Sequence, residues 1–191
     1  ESAISNDDEL HKLVTSGGML EFDDYDKLSA LESQNYALYQ ARLRSSQPIG
    51  MVSYGDSITY GYRPDGGQYA NNYPALIAQI LTSNTKSVFT NQNKGFPSDR
   101  ALTNYVRNIN DGTSGNISTI MLGVNDALYS TDNGNNPAGM VGDSLYGTKN
   151  YALVMRKFVA RELLRGRCVV LLGTTHFASQ SGEIGILTAT Y

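Results

Sequence analysis

The sequence predicts an α/β protein, a parallel sheet flanked by helices, and three features carry that prediction. Strand-like and helix-like segments alternate from Pro48 onward. The strand candidates Ile49–Tyr54, Ile117–Leu122 and Cys168–Leu172 are continuous apolar runs, the pattern of strands buried on both faces. The first of them ends abruptly in Gly55-Asp56-Ser57, a tight turn leading into a helix.

Residues 1–22 are mixed in character, with Gly17-Gly18 in the middle. From Asp23 to Arg44 the pattern is helical, and Leu28, Leu31, Asn35 and Leu38 follow the a/d rhythm of a coiled coil. Asn35 at a core position of such a seam fixes register at some cost in stability. The run is shorter than the three or four heptads that define a coiled coil, and the alternative is an amphipathic helix packed on its own domain. Pro48 stops the helix, which divides the chain into an N-terminal segment, 1–47, and a domain, 48–191. Asn72-Tyr73-Pro74 opens a helix with Leu76, Ile77, Ile80 and Leu81 on its buried face. Lys86–Thr90 reads as a short strand. Ser98 or Asp99 caps a helix whose inner face is Leu102, Val106 and Ile109. A polar insert rich in Asn and Gly covers 129–147, and a helix with Ala152, Met155, Val159 and Leu163 inward runs from Thr148 to Arg165. Gly166 is placed to end that helix.

The composition excludes several classes. The chain has 191 residues, 40% hydrophobic and 17% charged, with a net charge of −3, so nothing in it favours nucleic acid or an anionic membrane as partner. No apolar run approaches a membrane span, and no signal peptide is visible. One cysteine, Cys168, excludes an internal disulfide framework, and with only His11 and His176 beside it a structural zinc site is not expected. No cofactor is expected, and no dinucleotide-type Gly-x-Gly-x-x-Gly pattern occurs. The chain begins at Glu1 and stops at Tyr191 just after a loop, as a segment of a longer polypeptide would.

Ser57 is the chemical focus. A hydroxyl just past the carboxyl end of a strand stands where ligands bind in open α/β sheets, and a tight strand-to-helix turn suits a nucleophile of acyl transfer. Gly142-Asp143-Ser144-Leu145 spells a similar string without a preceding strand and reads as a turn alone. Acyl transfer also needs a base and donors for the oxyanion. The third strand runs into Gly123-Val124-Asn125-Asp126, where Asn125 offers a neutral amide donor. The second runs into Asn93-Lys94-Gly95-Phe96-Pro97-Ser98-Asp99, whose turn offers a backbone N–H. Each such donor is worth about 3 kcal/mol in the transition state.

Gly-Asp-Ser, then Asn-x-Gly, then Gly-x-Asn-Asp, each after its own strand, resembles the SGNH hydrolases, also called the GDSL esterase/lipase family, over Pro48 to Phe177. The resemblance implies a three-layer α/β/α flavodoxin-like fold, Ser57 as nucleophile and Asn125 as oxyanion donor. It also implies a backbone donor five residues after Asn93. Relatives usually carry glycine there, and this chain has Ser98; Gly95 is the fallback. Asp56 is expected to brace the turn and, with Asp126, to border the substrate. The family's Asp-x-x-His block, which supplies the base, is not seen after Leu172. His176, at a strand end, is the weak candidate, and the Asp and His are otherwise expected beyond Tyr191. Without a base, Ser57 is a poor nucleophile.

Ala37 to Tyr62 looks like bacteriophage tail fibres and tailspikes with SGNH domains. That resemblance implies a homotrimer, a virion or extracellular location, and removal of O-acetyl groups from a bacterial surface polysaccharide; a small ester is the other substrate class. Tyr60, Tyr62, Tyr69 and Tyr73 lie near the serine as candidates for stacking on sugar rings. The competing expectations are a carbohydrate-binding module that kept the fold without the base, and a passive structural virion segment.

Overall fold

The computed structural model describes residues 25–128 and 148–173. Helix α1 is Tyr25–Arg44, strand β1 is Ile49–Gly55, helix α2 is Ser57–Tyr60 and helix α3 is Tyr73–Asn84. Strand β2 is Phe89–Gly95, helix α4 is Ala101–Arg107, strand β3 is Ile117–Met121 and helix α5 is Val124–Leu128. Helix α6, Thr148–Leu164, and strand β4, Cys168–Leu171, complete the described part.

The described sheet is parallel throughout, in the order β2-β1-β3-β4. β1 is paired on both sides, with Gly55 opposite Gly95 on β2 and Met121 on β3. Chain order therefore reverses at β1, where the crossover to β2 goes one way and that to β3 the other. The carboxyl ends of β1 and β3 at such a switch point form the crevice in which open α/β sheets bind ligands. Helices cover both faces. Ile49 and Met51 face α1 and α3, where they pack with Ala78, Phe89 and Ile117. Val52 and Tyr54 face α4 and α6, where they pack with Leu102, Tyr105, Ile120 and Phe158. Nearly every residue of β1 and β3 is buried, which explains their unbroken apolar character.

β2 departs from the sequence expectation of Lys86–Thr90. It lies several residues further on, as Phe89–Gly95, and is polar in its middle. It is the outer strand of the described sheet, so only its ends, Phe89 and Gly95, are fully buried. Asn93 and Gly95, expected in a loop, are thus strand residues.

The helix faces are partly rotated from expectation. On α3, Leu76 is 41% and Ile80 60% exposed, while Pro74 and Ala78 are buried. On α6, Ala152 is exposed, and Val154, Phe158 and Leu163 enter the core. The helix ends at Gly166, whose φ of 76° is left-handed. Neither Ser98 nor Asp99 caps α4; its N-cap is Arg100. α1 packs against α6 and β4. Asn35, expected in a coiled-coil seam, is buried within this chain, and its amide donates to the carbonyls of Leu163 (2.8 Å) and Arg167 (3.0 Å). Those are C-terminal carbonyls of α6 and its following turn, which need donors wherever they are buried. Tyr39 and Leu43 pack beneath β1 and α3, and Leu38 faces solvent. The helix thus packs on its own domain through Asn35, Tyr39 and Leu43. A buried ion cluster, Glu162 with Arg161, Arg165 and Arg167, ties α6 to β3 through Ser118.

Candidate active site

Three loop tips meet at the carboxyl edge of the sheet, and the geometry of each follows from its residues. At the end of β1 the chain must turn sharply against its neighbours. A Cβ at Gly55 would lie 1.8 Å from Thr59 Oγ1 and 2.7 Å from the Met121 carbonyl oxygen, so only glycine fits. Asp56 is extended and caps α2: its Oδ1 accepts from the Ile58 N–H at 2.8 Å. Burial pushes the Asp56 carboxyl up from its ordinary value, against the opposing pull of the Ile58 hydrogen bond. Ser57 follows as the first residue of α2, half-buried, and its hydroxyl has no hydrogen-bond partner among the described residues. Gly61, left-handed at φ 77°, closes the short helix.

The second tip follows β2. Asn93 Nδ2 donates to the Thr59 carbonyl at 2.7 Å, and its Oδ1 accepts from the Gly95 N–H at 2.9 Å. α2 lies directly on Gly95, where a Cβ would come within 2.4 Å of the Tyr60 nitrogen. Gly95 is thus a packing residue with its N–H already engaged, which removes it as an oxyanion donor. Ser98 is different. It is exposed, its φ is 66°, and its N–H has no hydrogen-bond partner among the described residues. The left-handed backbone accounts for the glycine usual at this position in the sequences this chain resembles. Asp99 is buried behind it and held by Arg107 (3.1 and 3.0 Å) and Asn104 (2.9 Å).

The third tip follows β3. Asn125 Nδ2 donates to the Asp99 carbonyl at 2.9 Å, which binds this tip to the second. Asp126 is buried, and its carboxylate accepts from the Ala101 N–H at 3.2 and 3.0 Å at the start of α4. Burial pushes the Asp126 carboxyl up to about 6, with the Ala101 hydrogen bond opposing. Asn104 joins the first two tips: its Nδ2 lies within hydrogen-bonding distance of the carbonyls of Gly55 (2.9 Å) and Lys94 (3.0 Å) and of the Asp99 carboxylate Oδ2 (2.9 Å).

Ser57, Ser98 and Asn125 therefore come to one edge through a shared network. Asp56 and Asp126, expected to border the substrate, are instead buried with their carboxylates turned onto backbone N–H groups. Short acidic side chains beside a helix start satisfy donors that would otherwise be orphaned. Tyr73 also turns inward, its hydroxyl 3.0 Å from Thr59 Oγ1. Tyr60 is half-buried, and Tyr62 and Tyr69 are exposed. His176 and the insert 129–147 lie outside the described residues. Nothing in the sequence pattern marked Asn104; a polar residue on the inner face of an otherwise apolar helix was the available signal. No group of three or more potential metal ligands lies together among the described residues.

The model of the GDSL-like Lipase/Acylhydrolase family matches residues 53–184, well over half of the chain. The chain belongs to this family. It is accordingly a carboxylic ester hydrolase by family. Its fold is shared by solved structures at low identity. A lipolytic protein of the G-D-S-L family from Desulfitobacterium hafniense is 22% identical, with a TM-score of 0.53, over 74% of this chain and 68% of that one. An α/β hydrolase from the Lake Arreo metagenome is 21% identical, with a TM-score of 0.54, over 75% and 71%. An acetylxylan esterase from Geobacillus stearothermophilus is 16% identical, with a TM-score of 0.55, over 76% and 69%. Catalytic mutants of that esterase replace a serine, an aspartate and a histidine. A comparison with curated proteins finds no match.

Proposed function

We propose that this hydrolase removes acyl groups, O-acetyl above all, from a carbohydrate, with Ser57 as nucleophile. The carrying observation is the tether between Asn125 and the Asp99 carbonyl. It ties the neutral amide donor to the residue that follows left-handed Ser98, whose N–H has no hydrogen-bond partner among the described residues, and Asn104 links the same loop to the end of β1, which Ser57 follows. In this reading the Ser57 oxygen attacks the ester carbonyl. The carbonyl oxygen, as it becomes negative, is met by the Asn125 amide and the N–H groups of Ser98 and Ser57. The Asn125 amide is held in advance by the Asp99 tether, and the loop behind it by the buried bonds of Asn104, so little reorganisation accompanies the reaction.

The base that takes the Ser57 proton is not among the described residues. The serine, aspartate and histidine of the Geobacillus stearothermophilus mutants support a serine mechanism here with an Asp–His pair as its base. The carbohydrate assignment rests on the acetylxylan esterase likeness and on the exposed rings of Tyr62 and Tyr69 beside the catalytic turn. Tyr62 N–H bonds the Ser57 carbonyl at 2.9 Å, so its ring belongs to the same turn.

The test is p-nitrophenyl acetate hydrolysis by the full chain and by Ser57→Ala. Loss of roughly 10⁴-fold or more in kcat is expected. Turnover that survives the substitution removes Ser57 from the mechanism. A full chain with no esterase activity that still binds glycan supports instead a binding module on this fold.

A further inference from the structure

A cleft of about 580 Å³ opens between α3 and the outer strand β2, lined by Gln68, Tyr69, Asn72, Ala75, Asn91 and Asn93 among others. Ser57 is not in its wall, yet two wall residues are bonded to the helix that Ser57 begins. Asn93 Nδ2 donates to the Thr59 carbonyl and Gln68 Nε2 to the Tyr60 carbonyl, each at 2.7 Å. The cleft and the catalytic turn therefore share a wall.

Its chemistry is specific. Among the described residues no carboxylate, amine or guanidinium lines it; the polar lining is carboxamide and phenol, and the apolar lining is alanine methyl. Asn72 and Asn93 are locked by backbone partners and act as fixed walls. Asn91 accepts from Ser53 Oγ at 2.7 Å through Oδ1, which turns its NH₂ away; that NH₂ and Gln68 Oε1 have no hydrogen-bond partner among the described residues. They offer a donor and an acceptor to a ligand. Tyr69 is 53% exposed and is steadied by its N–H on the Gly61 carbonyl (2.7 Å) and by Arg63, 5.6 Å from the ring centroid. A steadied aromatic ring, small methyl groups and uncharged amides suit the apolar faces and hydroxyl edges of a sugar. The lining itself holds no cation to balance an anionic ligand, and Arg63 beside it is already paired with Asp65 at 2.6 Å.

We propose that this cleft is a subsite for a neutral polysaccharide chain, holding sugar units next to the acylated one that enters at Ser57. The proposal rests on the carbohydrate esterase reading and names the charge class of its substrate. Asn93 and Gln68 then serve twice, as cleft wall and as braces of the catalytic helix.

The experiment separates binding from chemistry. Xylohexaose, cellohexaose and maltohexaose serve as neutral probes and hexagalacturonate as the anionic one, in calorimetric titrations of the full-length Ser57→Ala protein. Tyr69→Ala and Ala75→Leu, each added to that protein, remove the ring or fill the cleft. At least one neutral hexamer is expected to bind, and each added substitution to weaken it about tenfold or more. Thermal unfolding checks that the variants are folded; Tyr69 is exposed, so its variant serves if Ala75→Leu does not fold. Equal affinity in all three proteins overturns the proposal, as does tighter binding of hexagalacturonate or no binding of any neutral hexamer. Those results leave the esterase reading standing, because that reading is decided by p-nitrophenyl acetate turnover before and after Ser57→Ala alone.

Discussion

Asn125 Nδ2 donates to the main-chain oxygen of Asp99 at 2.9 Å, and this one bond fixes both the amide and the loop that carries Ser98. A carboxamide has two N–H groups. With one held by Asp99, the other is oriented without further ordering. Asn125→Ala is expected to lower kcat for p-nitrophenyl acetate about 10²- to 10³-fold, the usual effect of losing one oxyanion donor. KM is expected to change far less, because the interaction forms mainly in the transition state. Unchanged kcat would show that the amide serves only to hold the Asp99 loop.

Gly95 tests the packing behind the site. Its Cα is covered by main-chain atoms of Thr59 and Tyr60, which cannot rotate aside as a flexible side chain can. Gly95→Ala is expected to push α2 outward, with a loss of about 1–3 kcal/mol of stability, as for other overpacked cores. Urea unfolding measures this. Esterase activity is expected to fall as well, since Ser57 begins the displaced helix. A variant as stable as the parent would show that α2 is not seated on β2 as described.

Ser98 sets two opposing terms against each other. A non-glycine residue in the left-handed region costs about 1–2 kcal/mol, and Ser98 sits there at φ 66°. Glycine relieves that cost but enlarges the freedom of the unfolded chain, at about 0.4–1 kcal/mol. Ser98→Gly is therefore expected to gain roughly 0.5 kcal/mol and to keep full activity, because glycine retains the backbone N–H. Loss of activity on this change would mean that the Ser98 hydroxyl, not its N–H, takes part.

The legible parts of this chain were those governed by local pattern. Ser57 and Asn125 could be placed because β1 and β3 are central strands, buried on both faces, and their apolar runs end where the loops begin. β2 was displaced because an outer strand needs no such run; the polar residues Asn91, Asn93 and Lys94 pair with β1 in the parallel ladder without being apolar. The a/d spacing of α1 describes a coiled-coil seam and an in-chain contact equally well. The in-chain contact is visible only from the partner of Asn35, and that is the end of α6, distant in sequence. The same holds for Asp126, though not for Asp56. Asp56 braces its own turn by a local cap on the Ile58 N–H, whereas the Ala101 N–H that Asp126 satisfies was fixed only by tertiary structure.

Asp126 also gives the fold a pH dependence whose sign can be worked out. Its carboxyl is raised in the folded protein from an ordinary 3.8 to about 6, chiefly because burial penalises the charged form. The folded state therefore holds this proton more tightly than the unfolded chain does. The contribution to stability is complete below the unfolded value, near pH 4, and is lost as pH rises through the folded value, near 6. A shift of this size corresponds to a loss of at most about 3 kcal/mol. Asp126→Asn keeps a carbonyl oxygen to accept from the Ala101 N–H and has no charge to bury. The variant is therefore expected to gain on the parent as pH rises from 4.5 to 7.5, by up to about 2 kcal/mol, in paired urea unfolding curves. If the stability difference between variant and parent is the same at both pH values, Asp126 titrates as it would in water, and the buried cap it makes on α4 is not the one described.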